Sequence, residues 1–137
     1  MKLFMDTSAF LAVLNQNDQY HQPASRVWKK ILSTDTQIFT SNYVLLETTA
    51  LLQHRFGIDA MHFFEQTIRL VIEPIWVDQD LHRLGMGILL AANRRQLSLV
   101  DCTSFELMRQ ANIEYGFTFD PHFSEQGFQP IPGLGLA

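Results

Sequence analysis

Short apolar runs alternate with segments of helical period along this chain, and that alternation constrains the fold more than any other feature. Residues 2–5, 36–40, 72–77 and 115–119 have the apolar, β-branched and aromatic composition of buried strands. The segments between them repeat apolar residues at helical spacing. Because a parallel connection needs a crossover, usually a helix, such alternation favours parallel pairing. We therefore expect an α/β fold with a central, mostly parallel sheet flanked by helices.

Several helices and strands have recognisable boundaries. The best-defined helix begins at a Ser41 or Asn42 cap and ends at Gly57. The helix expected after residue 78 contains Gly85 and Gly87, each of which weakens a helix by about 1 kcal/mol relative to alanine. Pro74 indicates an edge strand, because proline cannot donate to a neighbouring strand. Residues 127–134 are predicted to form a last short strand or a tail.

Length and composition favour one domain spanning residues 1–137. The chain is 47% hydrophobic and 18% charged, as in ordinary globular proteins, and no linker interrupts it. The single cysteine cannot form an internal disulfide, which favours a reducing compartment. The apolar run before Asp6 is too short for a secretion signal, and residues 87–92 fall far below the ~20 apolar residues of a membrane span. We expect a cytoplasmic protein with no membrane association.

Three aspartates stand directly after apolar runs. Asp6 follows LFM, Asp101 follows LSLV and Asp120 follows FTF. Ligands of open α/β sheets bind outside the carboxyl ends of the strands. If all three runs are strands, a parallel sheet brings the three carboxylates to one edge. Each aspartate is equally well explained as a helix cap, so none of them alone indicates chemistry.

Glu47 lies on the apolar side of its predicted helix. At 100° per residue, Val44, Thr48 and Leu51 share that side. An ionised carboxylate buried alone is costly unless a cation pairs with it, a proton neutralises it or a metal binds it. An ion pair with Arg or Lys is one alternative, and a shared metal site with the three aspartates is the other.

Four clustered carboxylates form the oxygen-rich ligand set that suits Mg²⁺ or Mn²⁺ rather than zinc. Such a site supports metal-assisted hydrolysis of phosphodiesters. The formal net charge of −4 does not exclude a nucleic-acid substrate, because without these four acids the remaining acidic and basic residues balance. A phosphoacceptor domain needs a lysine near the end of a late strand, and it is excluded because no lysine follows Lys30. A phosphatase with an aspartyl nucleophile is also excluded, because Ser8 stands where such an enzyme has its second aspartate.

Four segments carry a resemblance to a known family. FMDTSAFLA, LLETTALL, LSLVDCTSFELM and FTFDPHF, in this order, resemble the PIN-domain ribonucleases, especially the small toxins of VapC type, over residues 2 to about 128. The resemblance implies a three-layer PIN-like fold and a Mg²⁺- or Mn²⁺-dependent endoribonuclease that hydrolyses RNA phosphodiester bonds. It also implies a toxin with a cognate antitoxin, and a homodimer.

The same resemblance assigns the site residues. Asp6 and Asp101 match the positions that bind metal directly, and Glu47 and Asp120 complete the acidic set. Ser8 and Thr118 are expected to assist through their hydroxyls. His122 is expected on an exposed turn and is left out of the site. Two alternatives stay open: a non-catalytic RNA- or partner-binding PIN domain, and a structure-specific nuclease acting on DNA.

Overall fold

A single five-stranded sheet runs through the computed structural model, which describes residues 1–133. The strands are β1 (Lys2–Met5), β2 (Gln37–Ser41), β3 (Ile72–Ile75), β4 (Tyr115–Phe117) and β5 (Gln129–Ile131). Their order is β3-β2-β1-β4-β5, and every neighbouring pair is parallel. The predicted parallel sheet is confirmed. β3, which contains Pro74, lies at an edge as predicted, and the part of the predicted tail beyond Gly133 lies outside the described residues.

Helices connect all the strands. They are α1 (Thr7–Leu14), α2 (His21–Leu32), α3 (Asn42–Phe56), α4 (Ile58–Gln66), α5 (Gln79–Ala92), α6 (Leu99–Gln110) and α7 (His122–Glu125), with a 3₁₀ turn at Ile68–Val71. The predicted boundaries of α3 are confirmed. The Ser41 hydroxyl accepts a hydrogen bond from the Val44 amide, and Gly57 ends the helix with a φ of 85°.

The helices form two layers, one on each face of the sheet. From β1 the chain moves to β2 and β3, and then it crosses to β4 and β5 on the other side of β1. Because such crossovers are right-handed, α1 to α4 cover one face and α5 to α7 cover the other. Ring contacts agree with this arrangement: Phe10 of α1 meets Phe64 of α4, and Phe105 of α6 meets Phe123 of α7. The fold therefore has the three layers that the resemblance implied.

The apolar run before Asp101 is not a strand, so the condition for three strand-end aspartates is not met. Ser98 is the N-cap of α6, and Leu99 and Val100 lie in its first turn. The Ser98 hydroxyl accepts from the Asp101 amide at 3.0 Å, and the Asp101 carboxylate accepts from the Ser98 amide at 3.1 Å. A short apolar run fits a strand or a helical turn equally well by periodicity. This reciprocal capping box decides for the helix, and its Ser-x-x-Asp spacing is visible in the sequence.

The two glycines of α5 have different surroundings. A Cβ on Gly85 would lie 2.5 Å from Cγ2 of Thr103 and 3.2 Å from its backbone nitrogen, whereas a Cβ on Gly87 would meet nothing within 4 Å. Gly85 therefore permits the close approach of α5 to α6. In the described part of the chain, no helix is long and apolar enough to cross a membrane.

Candidate active site

The centre of the sheet has the topology of a ligand site. β1 and β4 are neighbours, but the connection that follows β1 covers one face and the connection that follows β4 covers the other. In open α/β sheets, ligands bind in the crevice at such a switch point, outside the carboxyl ends of the strands. Asp6 directly follows β1, and Asp120 lies three residues beyond the end of β4. The fold thus brings these two aspartates to the same crevice.

Asp6 is the most buried of the four predicted acids, with 7% of its surface exposed. It is the N-cap of α1, and its Oδ1 accepts from the Ala9 amide at 3.2 Å and from the Ser8 hydroxyl at 2.7 Å. Its Oδ2 accepts from the Thr118 hydroxyl at 2.8 Å. Burial raises the pKa of Asp6 to about 7. The nearby charge of Asp120 also raises this pKa, whereas the three hydrogen bonds lower it. Part of the Asp6 population is therefore protonated at neutral pH when no cation is bound.

Asp120 lies in a tight turn between β4 and α7. Its amide donates to the Thr118 hydroxyl at 3.0 Å, and its Oδ1 accepts from the His122 amide at 2.9 Å. Thr118 therefore contacts both aspartates that follow the central strands. The two hydroxyl residues expected to assist the acids, Ser8 and Thr118, both donate to Asp6.

His122 does not lie on an exposed turn, and that expectation is wrong. Only 14% of its side chain is exposed, and its Nδ1 is 2.8 Å from Oδ1 of Asp120. The distance is that of an ion pair, but the ring is not oriented for a hydrogen bond, so this buried nitrogen has no hydrogen-bond partner in residues 1–133. Burial of the neighbouring Phe123 in the core draws the turn inward. The Asp-x-His spacing followed by a core aromatic was the available signal in the sequence.

Asp101 reaches the same crevice from the first turn of α6, not from a strand. One of its oxygens, Oδ2, is held by the Ser98 amide, and the other accepts no hydrogen bond within the described chain. Burial, together with the Asp120 charge, raises the pKa of Asp101, while the Ser98 amide and the His122 ring oppose the rise. Asp101 is thus both part of a helix cap and part of the acidic cluster.

Glu47 completes the acidic wall from α3. It is half-buried and lines one cleft, of about 340 Å³, together with Asp6, Asp101 and Asp120. None of the ion pairs in residues 1–133 includes Glu47, so the alternative of a buried ion pair with Arg or Lys is not what the structure contains. No lysine or arginine of the described residues lines this cleft. All four predicted acids therefore lie at one site, and no lysine or arginine of the described residues lies among them.

The donor set suits a divalent cation. One ligand atom each from Asp101, Asp120 and His122 lies within 4.8 Å of the others, a spacing at which a single ion can bind all three. Carboxylate oxygens are ligands of both Mg²⁺ and Mn²⁺, and the added imidazole favours Mn²⁺ over Mg²⁺, because Mg²⁺ prefers oxygen ligands. Burial, with a smaller contribution from the Asp120 charge, raises the pKa values of Asp6 and Asp101, so the ionised forms of these two acids are costly without a cation.

Comparison with known proteins identifies the family. The family model described as PIN domain matches residues 3–129, which is nearly the whole described chain. The chain belongs to the PIN-domain family. It is also 38% identical over 131 residues to the 23S rRNA-specific endonuclease VapC20 of Mycobacterium tuberculosis, in strains CDC 1551 and H37Rv, covering 94% of this chain and 97% of the relative. The predicted resemblance to the VapC-type PIN ribonucleases is confirmed, and the chain is an endoribonuclease of this type.

Two solved structures resemble this fold. The crystal structure of M. tuberculosis VapC20, described as a sarcin–ricin loop cleaving toxin, matches with a TM-score of 0.81 and 35% identity over 92% of this chain and 95% of that chain. FitAcB from Neisseria gonorrhoeae matches with a TM-score of 0.69 over 93% of this chain and 95% of that chain. At 12% identity, FitAcB supports the fold alone.

Proposed function

We propose that this protein is a toxin that cuts 23S rRNA by Mg²⁺- or Mn²⁺-dependent hydrolysis. The observation that supports the chemistry is the cleft in which Asp6, Glu47, Asp101 and Asp120 meet without a lysine or arginine. We also propose that residues 1–137 act as a single nuclease domain. Because ribosomal RNA is the proposed substrate, we place the protein in the cytoplasm.

Asp101, Asp120 and His122 would hold the metal, with Asp6 and Glu47 beside it. When bound, Mg²⁺ or Mn²⁺ lowers the pKa of a water molecule and neutralises charge on the phosphoryl group. The protein supplies the orientation of the acids. Ser8 and Thr118 fix the carboxylate of Asp6, and a helix cap fixes that of Asp101, so neither needs to reorganise during the reaction.

Glu47 is the proposed general base. It is half-buried, and its carboxylate accepts no hydrogen bond within the described residues, so it is available to accept the proton of the attacking water. The water oxygen attacks phosphorus, and the bond from phosphorus to the 3′ oxygen breaks. The products are a 5′-phosphate and a 3′-hydroxyl, and the proton passes from the water by way of Glu47 to solvent or to the leaving oxygen.

The proposed substrate comes from the relative whose length this chain matches. VapC20 is named for 23S rRNA and for cleavage of the sarcin–ricin loop, and the alignment with it covers 97% of its length. We infer the same loop for this chain. A short RNA hairpin with the sarcin–ricin sequence is therefore the substrate to test.

Two protein partners belong to the same proposal. Several large apolar side chains are strongly exposed in the isolated chain, and removing their surface from water against a partner would be favourable. Leu46, Leu70, Trp76 and Leu90 each expose 70% or more of their surface. We propose that a second copy of the chain and a cognate antitoxin cover some of these side chains.

A cleavage assay with four substrates tests the function. The purified protein is incubated with the sarcin–ricin hairpin, a hairpin of the same stem with a scrambled loop, a flap DNA and unstructured RNA, each with Mg²⁺, with Mn²⁺ and with chelator. We expect metal-dependent cleavage of the sarcin–ricin hairpin alone. Cleavage of the flap DNA in preference to RNA would support the DNA-directed alternative. RNA binding that tolerates chelator, without cleavage at any metal concentration, would support the non-catalytic one.

A further inference from the structure

A second cavity, of about 350 Å³, adjoins the acidic cleft. Tyr20, Pro23, Phe119, Pro130 and Pro132 form its apolar walls, and we call it the aromatic pocket. Asp120 lines both the aromatic pocket and the acidic cleft, so the two cavities meet at this residue. Apart from Asp120, no charged side chain of the described residues lines the pocket. The apolar residues of the aromatic pocket have no role in the proposed hydrolysis.

Two stacked rings form one side of the aromatic pocket. The rings of Tyr20 and Phe119 are 4.6 Å apart at their centroids and only 5° from parallel. Tyr20 precedes α2 and still has 37% of its surface exposed. An exposed tyrosine held flat against a second ring offers a planar apolar surface whose conformational entropy is already reduced.

The stacked rings are fixed relative to the acids by hydrogen bonds. The Phe119 amide donates to the Ser8 hydroxyl at 2.9 Å, and the same hydroxyl donates to Asp6 at 2.7 Å. Phe119 also lies between Thr118, which contacts Asp6, and Asp120. The polypeptide that positions two of the acids therefore positions the ring as well. Because Asp120 lines both cavities, a ligand held at the acids can extend into the aromatic pocket.

The ligand that fits both cavities carries an anionic group beside a flat, neutral one. The negative charge of Asp120 and the lack of basic side chains make the aromatic pocket unsuitable for a phosphate. A nucleobase is planar, neutral and adjacent to a phosphate in every RNA strand. Proteins bind unpaired bases of RNA loops by stacking them on aromatic side chains.

We propose that the aromatic pocket binds an unpaired nucleobase of the RNA substrate, next to the phosphate that is cut, by stacking on the ring of Tyr20. The pocket thereby selects RNA loops, in which a base can leave its helix, over paired RNA. This inference rests on the proposed function, because it requires an RNA strand at the acids.

The test measures binding of the sarcin–ricin hairpin to Tyr20→Ala, Tyr20→Phe and wild type by fluorescence anisotropy, at fixed salt and with Ca²⁺ in place of Mn²⁺ as the divalent ion. Phe56→Ala is the matched control, because Phe56 is an exposed aromatic residue that lines neither cavity. A set of hairpins, each with one abasic nucleotide near the cleavage site, identifies the base. Loss of one stacked base predicts a dissociation constant about 5- to 150-fold higher for Tyr20→Ala.

We expect Tyr20→Phe and Phe56→Ala to bind like wild type, and thermal melting to show that every variant is folded. One abasic position should weaken wild-type binding as much as Tyr20→Ala does, and at that position Tyr20→Ala should have no further effect. An effect of Tyr20→Ala that is equal on intact RNA and on every abasic RNA would overturn the proposal, as would no effect at all. Failure of the wild type to cut the intact hairpin would instead overturn the proposed function, and this inference with it.

Discussion

Replacing Asp6 with asparagine should stabilise the metal-free protein, and the gain should increase with pH. The folded protein retains a proton on Asp6 up to its pKa of about 7, whereas the ordinary value is 3.8. At a pH between 3.8 and about 7, Asp6 has lost its proton in the unfolded chain but keeps it in the folded protein. The folded state therefore loses stability as the pH rises through this range, by about 1.4 kcal/mol per unit, and below about pH 4 the penalty is absent.

Asparagine fits the site without a charge. Its side-chain oxygen can accept from Ser8 and the Ala9 amide, as Oδ1 of Asp6 does. Its amide group would face the Thr118 hydroxyl, which can rotate to accept in place of donating. With these two pKa values, the difference in the free energy of unfolding between Asp6→Asn and wild type should grow by about 2 to 3 kcal/mol from pH 5 to pH 7.5.

Urea unfolding followed by circular dichroism, in chelator at pH 5 and pH 7.5, measures this difference. Asp35→Asn is the matched control, because Asp35 is exposed in the turn before β2, and its difference from wild type should stay the same at both pH values. Saturating Mn²⁺ at pH 7.5 should stabilise wild type more than Asp6→Asn. If the difference between Asp6→Asn and wild type does not change with pH in chelator, the account of Asp6 as a buried acid is refuted.

Three further predictions concern the elements around the site. Gly85→Ala should lower the free energy of unfolding by about 1 to 3 kcal/mol, because its Cβ would overlap Thr103, whereas Gly87→Ala should raise it by up to about 1 kcal/mol; urea unfolding measures both. Ser98→Ala should cost about 1 kcal/mol in the same assay and slow cleavage, since Ser98 and Asp101 cap α6 reciprocally. His122→Ala should weaken Mn²⁺ binding about 10- to 100-fold in calorimetry, and unchanged binding would remove His122 from the site.

The sequence predicted the sheet and all four acids of the cleft, and for Asp6, Glu47 and Asp120 it did so for the right physical reason. Strand composition, the Ser41 and Gly57 boundaries of α3 and the proline of the edge strand all act within a few residues. The position of Asp6 and Asp120 at one edge follows from parallel pairing of the strands before them. The pattern of α3 predicts the position of Glu47, because this carboxylate interrupts an otherwise apolar helix face.

Three features were not predicted: the helical start before Asp101, the burial of His122 and the aromatic pocket. The first depends on a helix cap, and the other two depend on contacts between residues that are distant in sequence. The run before Asp101 is too short for periodicity to distinguish a strand from a helical turn, and only the Ser98 spacing separates them. His122 became buried because Phe123 packs against Phe105. The aromatic pocket joins Tyr20 and Phe119, which are far apart in sequence and meet only after folding. Pairings of this kind leave no periodic signal in a single sequence.

Whether the acidic cleft cuts RNA is decided by the single-turnover rate at which Asp101→Asn cleaves the sarcin–ricin hairpin at saturating Mn²⁺. Asparagine keeps an oxygen that can accept from the Ser98 amide, so the cap of α6 should persist, and equal urea unfolding of the variant and wild type checks this. We expect no detectable cleavage by Asp101→Asn and wild-type cleavage by Asp35→Asn. Cleavage by folded Asp101→Asn at the wild-type rate would show that the acidic cleft is not the catalytic site.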